Sequence, residues 1–356
     1  MIHTEVYYRK SDHLTRIMTA LYLLEQQKIL QCTYIEDEQC VVLPNSANML
    51  EMRIDGKRIA FDLRDASALN QSKLRDYLDA VDFYFERSHI DWHTKPEFTS
   101  LAHKIHPYGF NYFCSCPGNR AIKKTVSGNI FKRSIRNITN HHLFSNVKTY
   151  EGKPSYTPGK MPTIIFMARL WNPDEVKINP KHTPEEKAYR EYMRAERKKI
   201  NADRIEICRE LRRIYGKSFY GGILATPYAK TQCPDVLLSA GAAFKLNYLR
   251  RMKRSDICIG SAGLEKSIGW KTGEYVAASR AIVCEKMAYL LPGDFAEGKH
   301  YLAYDDAPTC LMAVERLYTQ PELLCSMQAA NYQYYQEYLR PDIQLINALK
   351  ICGIRV

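Results

Sequence analysis

The segment from Asp256 to Glu285, DICIGSAGLEKSIGWKTGEYVAASRAIVCE, holds residue types that could grip a phosphorylated ligand. A short apolar run, Asp256 to Ile259, empties into a stretch carrying Gly260, Gly263 and Gly269 together with Ser261 and Ser267. Glycines let backbone N–H groups come close to an anion, and the start of a following helix adds partial positive charge. Lys266 and Lys271 can neutralise a diphosphate there. Glu274, expected in the first turn of the next helix, can accept two hydroxyls of a ribose, as acidic residues do in dinucleotide-binding folds. One loop could thus hold both ends of a nucleoside diphosphate. The plainer reading is a solvated glycine-bearing loop with ordinary surface lysines, because such charges are mostly just exposed.

Three further places could carry chemistry. Arg169, a cation that follows the apolar run Phe166-Met167-Ala168, is one. Asp62 and Asp65 lie at the C-terminal end of the run RIAFDLRD, the end at which open α/β sheets bind ligands, so Asp65 could face an acceptor or act as a base. Asp12-His13, between the first strand and first helix, is the rival place for a base. Aspartates there also cap helices, and a lone arginine is often only solvated. Gly216-Lys217-Ser218 resembles the end of a P-loop, but position 211, where that motif needs glycine, is Leu211.

These residues need elements to hold them. Arg58 to Leu63, Val81 to Phe85, Thr163 to Met167, Phe219 to Ile223, Asp256 to Ile259 and Ala281 to Cys284 read as strands. Ile17 to Gln31, Asn70 to Leu78, Pro184 to Tyr215, Phe244 to Lys253, Gly273 to Ser279, and Leu323 to Leu349 with a break near Pro341, read as helices. Strand and helix alternate through both halves, which predicts parallel sheets covered by helices. Tyr150 to Pro162 contains Gly152, Pro154, Pro158, Gly159 and Pro162, a density of breakers that suits a linker. At 356 residues the chain exceeds one ordinary core, and two domains of about 150 to 180 residues each are expected.

Lys and Arg outnumber Asp and Glu by 51 to 39, a net charge of +12. Such an excess attracts polyanions: nucleic acid, an anionic membrane face or a phosphorylated small molecule. Arg120, Lys123, Lys124, Lys132, Arg133 and Arg136 form a basic cluster without a helix-turn-helix, zinc-finger or stacking-aromatic context, so a solvated face or a patch on anionic lipid is expected rather than nucleic-acid binding. The eleven cysteines are scattered through apolar runs, as reduced core thiols are. Cys114-Ser115-Cys116 is a poor zinc signature, and no metal or cofactor is expected. The polar start from Met1 to Arg16 offers no secretory leader, and Ile17 to Leu24 is too short to span a bilayer, so a cytoplasmic protein, at most peripheral on the inner membrane face, is expected.

The Asp256 to Glu285 segment resembles the donor-binding region of GT-B glycosyltransferases of the group 1, family 4-like type. Gly269, the five-residue step to Glu274, the run Ala277-Ala278-Ser279 and the strand Ala281-Ile282-Val283 follow that order. Phe166 to Leu170, with Arg169, is a second point of resemblance. The family's glutamate pair with seven residues between is absent, since eight separate Glu265 from Glu274, and Lys177 follows Arg169 by eight residues rather than about five. The resemblance implies an α/β fold of two Rossmann-like domains facing each other across a cleft: an acceptor domain over 1–155, a nucleotide-sugar domain over 156–325, and a terminal helix over 326–356 returning to the first. It further implies metal-independent transfer of a sugar from a nucleotide-sugar donor to a glycan or lipid-linked acceptor in polysaccharide or lipopolysaccharide synthesis. Asp65, Asp12 and Arg169 would then be catalytic, while Gly263, Lys266, Ser267, Gly269, Lys271 and Glu274 would bind the donor. A dinucleotide-dependent oxidoreductase is disfavoured because G-x-G-x-x-G is missing near both Val6 and Ile165. A basic nucleic-acid binder is the remaining alternative.

Overall fold

A computed structural model describes residues 1–39, 41–44, 48–65, 71–122, 134, 138, 141–239 and 241–356. Of the basic cluster only Arg120 falls within them; Lys123, Lys124, Lys132, Arg133 and Arg136 lie outside. The chain forms two compact α/β units. Unit 1 gathers Met1–Glu151, Ala288–Phe295 and Tyr332–Val356, and unit 2 gathers Gly152–Met287 and Ala296–Asn331.

Unit 1 is built on a six-stranded sheet. Its strands are β1 (Ile2–Tyr8), β2 (Leu30–Glu36), β3 (Met49–Ile54), β4 (Lys57–Asp62), β5 (Phe83–Glu86) and β6 (Ile105–Pro107), in the order β2-β1-β3-β4-β5-β6. The expected all-parallel sheet is not what forms here. β1 pairs β2, β4 pairs β5 and β5 pairs β6 in parallel, but β3 runs antiparallel to both β1 and β4. The reason is local: Asp55 and Gly56, with φ of 47° and 73°, make a two-residue turn that can only fold the chain straight back.

Helix α1 (Thr15–Gln26) connects β1 to β2 and stops short of the expected Gln31. Lys28 takes a left-handed φ of 58°, which ends the helix and turns Leu30 into β2. A second helix, α2 (Gln71–Ala80), leads into β5. The apolar face of α1, including Ile17, Leu21 and Leu24, shares a buried core with Val6, Phe61 and Phe85.

Unit 2 carries β7 (Ile164–Ala168), β8 (Phe219–Ile223), β9 (Ile257–Ile259), β10 (Ala281–Glu285) and β11 (Leu302–Tyr304), ordered β11-β10-β9-β7-β8 and parallel throughout. All of β7, IIFMA, is buried, as strands covered on both faces require. The chain steps outward from β7 to β8, then returns to β9 on the other side of β7. That reversal between β7 and β9 is a topological switch point, and ligands of open α/β sheets bind outside the strand C-termini there.

The longer helices of unit 2 are α3 (Pro184–Tyr215), α4 (Lys245–Arg254), α5 (Trp270–Ala277), α6 (Ala307–Thr319) and α7 (Pro321–Tyr334). Helix α3 has the expected bounds and opens on a capping box in which Thr183 and Glu186 satisfy each other's backbone N–H. Its first half has no buried residue; Asn201, Arg204, Ile207, Cys208 and Leu211 make one buried stripe in its second half. After α7 the chain breaks through a π-turn at Tyr335–Leu339 and enters α8 (Pro341–Ile351), whose Leu345, Ala348 and Leu349 complete the unit 1 core beside α1. Among the described residues no helix is long and apolar enough to cross a membrane.

Candidate functional site

The loop from Gly260 to Gly269 leaves β9 at the switch point of unit 2. Half of its backbone donors are already committed. The N–H of Gly260 donates to the Val283 carbonyl at 2.8 Å, and that of Gly263 to the Ser267 carbonyl at 2.8 Å. Ser267 donates to the Leu264 carbonyl at 3.2 Å. Two carboxylates take others: Glu285 Oε1 accepts from Ala262 N–H at 3.1 Å, and Glu196 Oε1 from Glu265 N–H at 2.8 Å. An anion would therefore meet the stretch from Gly269 into the first turn of α5, rather than the whole loop.

The glycines are required by close packing within this loop. A Cβ on Gly263 would lie 2.3 Å from Ser267 Oγ, and one on Gly269 would lie 2.9 Å from the Ser261 carbonyl. Ser267 is buried and serves that packing. Between these glycines, Glu265 and Lys266 are both left-handed, with φ of 56° and 55°. Two such non-glycine residues cost about 1–3 kcal/mol each and persist only where neighbours hold them. Here Glu196 holds the Glu265 amide, and the Tyr189 hydroxyl donates to the Glu265 carboxylate. Lys266 is turned out into solvent beside the groove.

Three cations meet at the C-terminal end of β7. Arg169 is exposed, its guanidinium 5.4 Å from the Trp171 ring centroid. Lys271 reaches back from α5 to donate to the Met167 carbonyl, with its ammonium 5.4 Å from the centroid of Tyr248; burial pulls its pKa down to about 8. Arg204 comes up from α3, only 6% exposed. It donates through Nε to Ser261 Oγ at 3.1 Å and through one terminal nitrogen to the Ala262 carbonyl at 2.8 Å. Its other terminal nitrogen donates to the Arg169 carbonyl. Sequence reasoning passed over Arg204 because α3 reads as a solvated, charged helix. The signal was its phase: Arg204, Ile207, Cys208 and Leu211 fall at i, i+3, i+4 and i+7, so the arginine sits on the buried stripe.

Glu274 is not where the sequence placed it. Helix α5 starts at Trp270, three residues before the expected Gly273, so Glu274 stands in its second turn and is buried. Glu274 Oε2 accepts from the Tyr248 hydroxyl of α4 at 2.6 Å, and burial pushes its pKa up. The groove over the loop, lined by Ala262, Lys266, Ser267, Gly269, Thr272 and Glu285 among others, encloses only about 20 Å³. A ligand there would lie along the loop surface.

In unit 1 the loops after β1, β4 and β5 bring His13, Asp65 and Arg87 together. Arg87, 2% exposed at its side chain, donates to Asp65 Oδ1, and His13 Nε2 stands 3.9 Å from Asp65 Oδ2. His13 Nδ1 lies 2.9 Å from the Leu63 carbonyl. A carbonyl only accepts, so Nδ1 carries a hydrogen and the neutral ring keeps its lone pair on Nε2. Asp12 is not the helix cap; Ser11 is, accepting from His13 N–H at 3.2 Å, with Asp12 inside the single 3-10 turn Asp12–Leu14. Asp62 is committed to Arg64 and to the Tyr84 hydroxyl, the latter at 2.6 Å.

A roomier cavity of about 300 Å³ lies elsewhere in unit 1, between α1, β2 and the Cys116–Arg120 stretch. Its carboxylate, Glu25, accepts from Cys32 N–H at 3.1 Å and from the Tyr34 hydroxyl at 2.8 Å, so it closes the free edge of β2. Burial pushes the Cys32 and Cys116 thiols up to about 12 and about 11, which leaves them un-ionised and inert at neutral pH. Its volume exceeds that of the loop groove, but its chemistry is that of a covered strand edge. Among the described residues no three His, Cys, Asp or Glu side chains gather as a metal site.

No protein-family model and no curated protein matches the chain. Among solved structures it is similar to the C-terminal domain of a glycosyl transferase group 1 family protein, LpcC, from Francisella tularensis, at 13% identity and a TM-score of 0.35, over 53% of this chain and 95% of that one. It is similar to S. aureus MnaA, solved with UDP, at 11% identity and a TM-score of 0.45, over 99% and 97%. Anabaena HepE in complex with UDP-glucose is alike at 9% identity and a TM-score of 0.44, over 99% and 100%. Likenesses this loose carry neither activity nor ligand across to this chain.

Proposed function

We propose that the chain is a glycosyltransferase, moving a sugar from a nucleoside-diphosphate sugar bound by unit 2 to a hydroxyl of a glycan or lipid-linked acceptor in polysaccharide or lipopolysaccharide synthesis. The observation that carries this reading is the loop Gly260 to Gly269 at the switch point of an all-parallel sheet, opening onto the start of α5, with Lys266 lining its groove and Arg169 and Lys271 at the neighbouring end of β7. The phosphates would lie against the backbone from Gly269 to Lys271, since the Thr272 N–H already donates to the Gly269 carbonyl at 3.1 Å. Because Oε2 of Glu274 is taken by Tyr248, a ribose hydroxyl would meet Oε1 alone.

In the transfer step the bond between the sugar C1 and the phosphate oxygen breaks, and a bond from C1 to the acceptor oxygen forms. The leaving diphosphate gains negative charge, which Arg169, Lys266 and Lys271 would neutralise without a metal ion. The acceptor hydroxyl gives up its proton, and His13 Nε2, oriented by the Leu63 carbonyl, is the base the geometry of unit 1 favours, with Asp65 steadying the imidazolium. Asp12, inside its turn, is the weaker candidate.

A thermal-shift panel of uridine, guanosine, adenosine and thymidine diphosphates tests the donor half. A ligand selective for the folded state at a hundred times its Kd adds about 2.7 kcal/mol. We expect at least one of these nucleotides to raise the melting temperature, and Glu274→Ala to weaken that response. A folded protein that none of them stabilises would overturn the reading. Rearrangement of the sugar on its nucleotide, with no new linkage to an acceptor, would point to isomerisation instead of transfer.

A further inference from the structure

We infer that Arg204 is the positioning residue of the phosphate loop: its buried guanidinium ties the strand ends of β7 and β9 together, so that Arg169 and the loop meet a diphosphate as one rigid piece. The ligand named here rests on the donor reading above; the clamp itself does not.

β7 and β9 pair through Ile164 and Ile165 with Ile257 and Cys258, and their C-terminal ends, which flank the switch point, lie beyond that pairing. Arg204 spans them. Its three donor directions end on Ser261 Oγ, the Ala262 carbonyl and the Arg169 carbonyl, two from the β9 loop and one from the residue that follows β7. A planar guanidinium fixes those three directions relative to one another, which a lysine ammonium on a flexible stem cannot do.

A purely structural arginine on a buried stripe would ordinarily meet a carboxylate, since an unpaired buried charge is costly. Among the described residues Arg204 makes no ion pair; all three contacts are to neutral oxygens. Burial accordingly pulls its pKa below the usual arginine value. The nearby carboxylate, Glu285, is turned to the Ala262 amide. The clamp therefore leaves its positive charge beneath the groove, where it favours an anion on the loop above.

The test uses the full chain with Arg204→Met, which keeps the stem and removes the fork, Arg204→Lys, which keeps the charge, and Arg204→Ala with and without millimolar guanidinium ion. Amide hydrogen exchange of residues 260–269 is read without ligand, and binding of inorganic pyrophosphate by calorimetry. In Arg204→Met we expect loop amides to exchange at least about ten-fold faster and pyrophosphate to bind about ten- to hundred-fold more weakly, the loss of one or two charge-assisted hydrogen bonds. Amides of Ala281–Glu285 should keep their wild-type rates. Arg204→Lys should recover little of the loop protection, and guanidinium should restore both readouts in Arg204→Ala. Wild-type loop exchange in Arg204→Met, or full recovery by lysine, overturns the clamp. If Arg204→Met does not fold, the lysine and rescue arms decide. Loop loosening in Arg204→Met with no pyrophosphate binding even to the wild type would sink the donor reading and leave the clamp standing.

Discussion

Lys271 carries its charge into a site with little to balance it. Burial is the main cause of its lowered pKa, Arg204 lowers it further, and Glu274 and the Cys208 thiol oppose the fall, to about 8 from 10.5. Between those two values the unfolded chain holds a proton that the folded chain has released, so this group's contribution to stability rises with pH from about 8 upward and is least favourable below it. In the proposed binding of a diphosphate Lys271 acts as the ammonium. Affinity measured by calorimetry should therefore fall as pH rises from about 7 to about 9, and Lys271→Met should flatten that profile; an unchanged profile in the variant would remove Lys271 from the site. In unit 1, His13→Gln should lower kcat by about 10²–10⁴-fold with melting temperature nearly unchanged, whereas Asp12→Asn should cost far less. Equal losses in both variants would contradict the choice of His13 as base. At this scale the sequence showed which residue types were present but not their company. Asp12-His13 and Asp65 are legible as separate strand-end residues, and Arg204 by its phase on the apolar stripe of α3, while Arg87, which joins Asp65, becomes visible only once the chain is folded.

Elements were read best where periodicity was long. Helix α3 kept the bounds its Thr183–Glu186 capping box and closing Gly216 announce, and β8 was found residue for residue. The sequence places the start of α5 at Gly273, three residues late, because Gly269, its cap, reads as loop and Trp270 to Thr272 continue that loop. That small shift moved Glu274 from an exposed first turn to a buried second one. The β3–β4 hairpin was missed although Asp55-Gly56 is a strong hairpin signal. The turn offers a direct check. A Cβ on Gly56 meets nothing within 4 Å, so the penalty of Gly56→Ala comes only from its φ of 73°. It should destabilise the protein by about 1 kcal/mol, and Gly56→Asn by less, since asparagine tolerates the left-handed region. A melting temperature for Gly56→Ala at or above wild type would show that the turn adopts another form.

For the chain as a whole, alternation of strand and helix gave the α/β class, and the all-parallel order of unit 2 follows from it. The return of α8 to the unit 1 core rests on contacts between residues far apart in sequence, which no local pattern records. The glycine-bearing loop is legible in the sequence, but not the carboxylates of Glu196 and Glu285 that already occupy two of its amides. The most direct measurement is the position of a bound nucleoside diphosphate, by crystallography or by amide chemical-shift mapping of the full chain. The diphosphate is expected against Gly269 to Lys271, with Arg169, Lys266 and Lys271 as its cations. A nucleotide seated instead in the cavity beside α1 and β2, or perturbing no amide between Gly260 and Glu274, would contradict it.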